Sequence, residues 1–209
     1  MSYQTIAADP PWPERGGGKS VRGAQRHYDL IKTKEGVRDA MLGSPSWEPA
    51  DSAHLYLWVT NNYLPWAMWL IPELGFTYKT TISWMKLCKW TADPWSTANV
   101  RKLKPVLGDI MRHDIPGALR RTVRSGIGQY FRGSHELCLF AVRGKGYDCR
   151  TERRDLSSVI VAPVGRHSAK PDAFYDLAEA RSTGPRLEMF ARTPRPGWDA
   201  WGNDAAVAS

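Results

Sequence analysis

The chain has 209 residues, 42% of them apolar, enough to bury a core on the scale of one large α/β domain or two small ones. Its 29 basic and 21 acidic residues leave a net charge of +8, which favours a polyanionic partner and puts nucleic acid early among the expectations. Three cysteines with no CxxC pair exclude a disulfide framework and a four-ligand structural zinc site, and they suit a reducing cytoplasm. No apolar run approaches the roughly 18 to 20 residues that cross a bilayer, and no basic leader followed by an apolar segment opens the chain, so neither membrane spanning nor secretion is expected.

Short runs rich in β-branched or aromatic residues predict strands at Thr5–Ala8, Leu55–Thr60, Thr80–Met85, Leu137–Val142, Val159–Ala162 and Leu187–Ala191. Several are too continuously apolar to have a wet face. Between them lie helical patterns. Asn62–Leu74 is one, interrupted by Pro65 and Pro72. Lys170–Arg181 is the other, with Pro171 in its first turn, Phe174, Leu177 and Ala178 on one face, and Gly184 just past its end. Strands alternating with helices predict a three-layer α/β fold with a mostly parallel central sheet. A single domain over residues 1–209 is expected.

From Lys86 to Arg132 the periodicity fades, and ten basic residues face three acidic ones, Asp93, Asp109 and Asp114. This stretch holds +7 of the chain's +8. A structureless loop of that length is improbable inside a compact domain, so residues 86–132 are read as a basic insertion with local helices or a partly ordered arm. Its concentrated charge marks a nucleic-acid or target-recognition region, with Lys102, Lys104, Arg120, Arg121, Arg124 and Arg132 as the contacting residues. Trp84, Trp90, Trp95, Tyr130 and Phe131 are interleaved with the charges, which suits base stacking and also suits ordinary packing.

The densest chemical signal is Asp9-Pro10-Pro11-Trp12, directly after the first predicted strand. Open α/β sheets place their ligands at the carboxyl ends of strands. Proline has no N–H, so a Pro-Pro step offers a carbonyl without an adjacent donor, held by rings that fix φ. A carboxylate followed by such a carbonyl has the acceptors to receive both hydrogens of an exocyclic amine such as adenine N6. Trp12 supplies a flat face for the base. The plain alternative is that consecutive prolines only end a strand and turn the chain.

Asp9-Pro10-Pro11-Trp12, preceded by Ala7-Ala8, resembles the signature of the adenine-N6 methyltransferases related to the 70 kDa subunit of the mRNA methyltransferase, which have short phage and bacterial members. Leu57-Trp58-Val59-Thr60, Glu136-Leu137-Cys138-Leu139 with Val142-Arg143-Gly144, and Arg166-His167-Ser168-Ala169-Lys170-Pro171-Asp172 leading to Glu188-Met189-Phe190-Ala191-Arg192 agree in order. The tail from Pro196 to Asp204 is similar to the closing motif. The likeness covers nearly the whole chain except the basic insertion.

The resemblance implies a Rossmann-like fold that uses S-adenosyl-L-methionine, and methyl transfer to adenine N6 in DNA with the base flipped out of the stack. Asp9, Pro10, Pro11 and Trp12 are then the catalytic motif. Trp12 packs on the adenine, as does Tyr28, for which surface packing is the other reading. Lys170, with Ser168, meets the methionine carboxylate of the cofactor. Glu188, Phe190, Arg192, Asn203 and Asp204 shape or hold the ribose end. The sequence also departs from the family. The mRNA enzyme has a strand and an aspartate upstream of the signature that bind the cofactor's adenine, whereas only eight residues precede Asp9 here. Pro194 and Arg195 stand at the family's cofactor histidine and asparagine. No zinc-finger region or obvious protein-docking segment is seen, which favours a compact DNA-modifying enzyme of a bacterial or phage-host cytoplasm.

Two alternatives stay open: an RNA adenine-N6 methyltransferase, and a catalytically silent nucleic-acid-binding protein on the same fold. Gly18-Lys19-Ser20 lacks the glycine a phosphate-binding loop needs, since Pro13 stands there, and Gly126, Gly128 and Gly133 miss dinucleotide-binding spacing. The five histidines and three cysteines never approach zinc-ligand spacing, so no metal is expected.

Overall fold

The computed structural model describes residues 2–13, 31–126, 130–166 and 169–202. Seven strands are hydrogen-bonded in the order β5-β3-β4-β2-β1-β6-β7: β1 Tyr3–Ala8, β2 Pro49–Val59, β3 Thr77–Leu87, β4 His135–Arg143, β5 Val159–Pro163, β6 Arg186–Met189 and β7 Asp199–Trp201. β1 runs parallel to β2 and β6, β3 to β5, and β6 to β7, while β2 and β4 are antiparallel. This is the mostly parallel α/β fold that the sequence predicts. Among the described residues five α-helices accompany it: α1 Lys34–Leu42, α2 Leu64–Glu73, α3 Val100–Met111, α4 Ile115–Thr122 and α5 Asp172–Arg181.

The chain divides into two compact units. The first comprises residues 1–82, 137–158 and 177–209. Its core is built on β1 and on the Ala53–Val59 part of β2, both buried on two faces: Ile6, Leu55, Leu57, Leu139 and Leu187 pack there with Val37 and Met41 of α1 and Leu70 and Ile71 of α2. Thr33 caps α1, its hydroxyl accepting the Gly36 N–H at 3.0 Å. Pro65 sits in the first turn of α2, where no intrahelical N–H is needed, while Pro72 lies inside the helix and forgoes one intrahelical bond just before the helix ends at Glu73.

The second unit comprises residues 83–136 and 159–176. The local helices expected in the basic insertion are α3 and α4. Asp109, buried on α3, joins them: its carboxylate takes Arg112 at 2.7 Å and Arg121 of α4 at 2.6 Å. Asp114 caps α4 by accepting the Gly117 N–H at 2.8 Å. After α4 the chain returns beside β3, where the Cys88 N–H donates to the Thr122 carbonyl at 2.7 Å and Leu87 bridges Val123.

Candidate active site

In the first unit, parallel pairing brings three strand ends to one edge. Ala8 is in register with Leu57 of β2 and with Met189 of β6, so Asp9 and Phe190 leave neighbouring strands side by side. This is where α/β sheets place ligands. Asp9 is half-buried, and the turn after it is held by its own backbone. The Trp12 N–H donates to the Pro10 carbonyl at 2.8 Å, and the Ile31 N–H to the Pro11 carbonyl at 3.1 Å. The Pro-Pro carbonyls therefore have donors, contrary to the expectation from proline chemistry. A carbonyl oxygen has two lone pairs, so each can still accept a second hydrogen.

Trp12 is 4% exposed. Its indole N–H donates to the Trp58 carbonyl at 2.9 Å, and its ring lies nearly parallel to Tyr63, with centroids 6.1 Å apart. The Tyr63 hydroxyl donates to the Pro13 carbonyl at 2.6 Å. Trp12 thus ties the signature turn to β2 and to the 3-10 turn ahead of α2. Tyr63, one of many aromatics in the chain, was not singled out by its sequence context. Nearby in sequence to Trp58, the buried hydroxyl of Thr60 has no hydrogen-bond partner among the described residues. A buried polar atom left without a partner at the end of a strand suits a ligand group.

Phe190 has φ of 61°, in the left-handed region that bulky residues avoid. Its ring meets Trp201 edge-on at 5.3 Å, and the Ala191 N–H donates to the Trp201 carbonyl at 3.0 Å. Gly202 closes the clasp: a Cβ there would lie 2.4 Å from the Ala191 carbonyl oxygen. Glu188 and Arg192 flank this turn, both half-buried and both engaged by other groups.

In the second unit, Lys170 lies just ahead of α5, with its side chain 9% exposed. Its ammonium is 3.0 Å from one carboxylate oxygen of Glu136, and the ammonium of Lys86 takes the other oxygen. Burial alone would raise the Glu136 pKa, but the charges of Lys170 and Lys86 outweigh it and hold the group down to about 2. The Lys170 ammonium, just ahead of the α5 N-terminus, has the charge to meet the carboxylate of a methionine-type cofactor, and in the first unit the Thr60 hydroxyl suits a polar ligand group. Glu136 belongs to a motif quoted for the resemblance, yet its partnership with Lys86 spans fifty positions and no spacing rule could reveal it.

Of the expected nucleic-acid contacts, Lys104, Arg124 and Arg132 are exposed, and Lys102 is exposed with its ammonium 3.3 Å from Asn99. Arg120 lies 3.9 Å from Asp114, and Arg121 is the strut to Asp109. Tyr28, Ser168, Asn203 and Asp204 lie outside the described residues. Among the described residues no group of three or more His, Cys, Asp or Glu is placed to hold a metal ion, and no helix is long and apolar enough to cross a membrane.

Residues 115–204 match the MT-A70 family model. Over 220 aligned residues the chain is 28% identical to the Type II methyltransferase M.MunI of Mycoplasma sp, covering 96% of this chain and 76% of that protein. It is 26% identical to the human N(6)-adenosine-methyltransferase catalytic subunit METTL3 over 96% of this chain, which spans only 28% of METTL3. It is 25% identical to the N6-methyladenosine RNA methyltransferase MTA1 of Cryphonectria parasitica, over 97% of this chain and 51% of that protein. With the signature at the end of β1 and the later motifs following in order, the chain resembles the MT-A70-related N6-adenine methyltransferases along nearly its whole length and matches the family model over residues 115–204.

Proposed function

We propose that this protein transfers a methyl group from S-adenosylmethionine to adenine N6 in DNA, and that residues 1–209 act as one methyltransferase domain with residues 86–132 facing the nucleic acid. The observation that carries the reading is the position of Asp9 at the end of β1, between the ends of β2 and β6, in a turn fixed by Trp12. The amine of adenine is a poor nucleophile because its lone pair is delocalised into the ring. Asp9 accepts one amine hydrogen and the second lone pair of the Pro10 carbonyl accepts the other, drawing the nitrogen toward a tetrahedral shape and stabilising the charge that develops on it. Lys170 holds a cofactor carboxylate, with Glu136, itself held by Lys86, fixing the Lys170 ammonium. The turn bearing Glu188, Phe190 and Arg192 forms the cofactor's ribose side, with Ser168, Asn203 and Asp204 as further contacts. When bound, S-adenosylmethionine supplies an electrophilic methyl group on a sulfonium.

DNA is favoured because this chain is similar to the Type II methyltransferase M.MunI over 96% of its residues at 28% identity, against 25% for the RNA methyltransferase MTA1. RNA is the second reading, supported by MTA1 itself. The reading is tested by incubating the protein with methyl-labelled S-adenosylmethionine and either polymer, then digesting and identifying labelled nucleosides by mass spectrometry. Labelled N6-methyladenine in the DNA digest supports the reading, label only in RNA selects the alternative, and label in neither refutes the enzyme.

A further inference from the structure

Tyr130 and Phe131, adjacent in sequence and in the second unit, are 93% and 89% exposed. Leaving two aromatic rings in water forgoes the burial that dominates core energetics, and nothing in the fold's own packing needs them there. They stand just ahead of Gly133, whose carbonyl accepts the Gly126 N–H at 2.8 Å. Below that bridge both flanks are fastened to one residue of β3: the Lys86 N–H donates to the Ser134 carbonyl at 2.9 Å, and the Lys86 carbonyl accepts the Arg124 N–H at 2.8 Å. Lys86 is the residue whose ammonium shares Glu136 with Lys170. The rings are therefore carried on a base built into the cofactor-lysine cluster.

Charge decides what covers them. Between Asp114 and Glu136 the sequence holds Arg120, Arg121, Arg124 and Arg132 and no acidic residue. Arg124 and Arg132 are exposed on either side of the rings and form no ion pair among the described residues. Flat apolar faces flanked by unpaired cations match a nucleic acid, whose bases offer π-faces and whose phosphates offer charge. We propose that Tyr130 and Phe131 form a stacking platform for unpaired bases, with Arg124 and Arg132 on the neighbouring phosphates. The inference rests on the nucleic-acid reading above and adds the form of substrate: the protein engages bases exposed by strand opening or extrusion.

The test measures affinity by fluorescence anisotropy, without cofactor, for a labelled single-stranded oligodeoxynucleotide and for one of equal length made of abasic sites. The proteins compared are the parent, the double variant Tyr130→Ala with Phe131→Ala, and the conservative double variant Tyr130→Phe with Phe131→Tyr. Stacking on a base contributes about five- to 100-fold in affinity, so the alanine variant should bind the base-bearing strand at least about tenfold more weakly. The conservative variant should match the parent, and all three should bind the abasic strand equally. Equal affinity of parent and alanine variant for the base-bearing strand overturns the proposal, and so does an equal loss on the abasic strand. A shift from dimer to monomer in sedimentation by the alanine variant, with unchanged affinity, assigns the rings to a second copy and also overturns it. Because the assay needs no methyl transfer, a protein that stacks bases but methylates nothing sinks the proposed reaction and leaves the platform standing.

Discussion

Glu136 receives the ammonium of Lys170 at 3.0 Å while its second oxygen is taken by Lys86. One carboxylate thus restrains two cations, and its side chain is only 19% exposed. Removing one member of so shielded a group leaves like charges facing each other without compensation. Glu136→Gln should lower stability by about 2 to 4 kcal/mol. Thermal unfolding with and without S-adenosylmethionine checks this: the variant should melt earlier, and the ligand should raise its melting temperature by more than it raises the parent's, because an incoming carboxylate replaces the lost charge. Lys170→Met should lose the ligand-induced rise altogether.

Two buried groups contribute separable steps to the acid limb of stability. His54 lies in the first unit with Nε2 2.7 Å from the Gly146 carbonyl and Nδ1 2.7 Å from the Ser182 hydroxyl. Only an N–H pairs with a carbonyl, so Nε2 carries the proton and Nδ1 accepts from Ser182. Burial, reinforced by the charge of Arg181, holds its pKa below the ordinary 6.5, although the Gly146 bond works the other way. As pH falls below 6.5 the unfolded chain takes up a proton that the folded chain resists, so stability declines. Glu136 adds a second decline, beginning near its ordinary 4.5 and complete near 2, on the order of 3 kcal/mol across the window. Unfolding measured from pH 8 to about pH 2 should show both steps, with the upper one flattened in His54→Gln. A melting temperature that rises between pH 7 and pH 5 contradicts this.

The basic insertion separates by role. Arg121 is held by Asp109, whose own pKa is lowered first by that hydrogen bond, against the opposing effect of burial. Arg121→Gln should loosen α4 from α3 and reduce helical circular dichroism. Arg124→Gln with Arg132→Gln should leave the spectrum unchanged and instead flatten the dependence of nucleic-acid affinity on salt, by about one to two units of log–log slope. An unchanged slope places the polyanion elsewhere.

The turn at Phe190 depends on Gly202, since a side chain there would collide with the Ala191 backbone. Gly202→Ala should push the turn open and weaken S-adenosylmethionine binding about tenfold or more in calorimetry. The effect on nucleic-acid affinity should stay within about twofold. Full retention of cofactor affinity removes this turn from the cofactor's side.

Leu55–Val59 was legible because burial on two faces demands continuous apolar sequence, whereas β5, whose Val159 and Val161 are exposed, was legible through its β-branched residues alone. β7 was not, since Asp199–Trp201 is three residues long and its pairing to β6 is a matter of the fold rather than of pattern. α1 escaped notice because Lys34–Leu42 buries only Val37 and Met41 and carries Gly36 in its first turn. The prolines of α2 read as interruptions, but their places in the first and last turns make them tolerable. At the site, Asp9 and Lys170 were visible through local motifs. The aromatic pairing of Trp12 with Tyr63 and the bridge from Lys86 to Glu136 join residues about fifty positions apart, and only folding brings them together.

The central claim is that Asp9 holds the adenine amine during methyl transfer. The most direct measurement is mass spectrometry of labelled nucleosides after incubation of DNA and RNA with methyl-labelled S-adenosylmethionine and either the parent protein or Asp9→Ala, with cofactor affinity checked by calorimetry. The account predicts labelled N6-methyladenine with the parent, none with Asp9→Ala, and cofactor affinity within about threefold between the two. Equal labelling by the two proteins, or label on a base other than adenine, would contradict it.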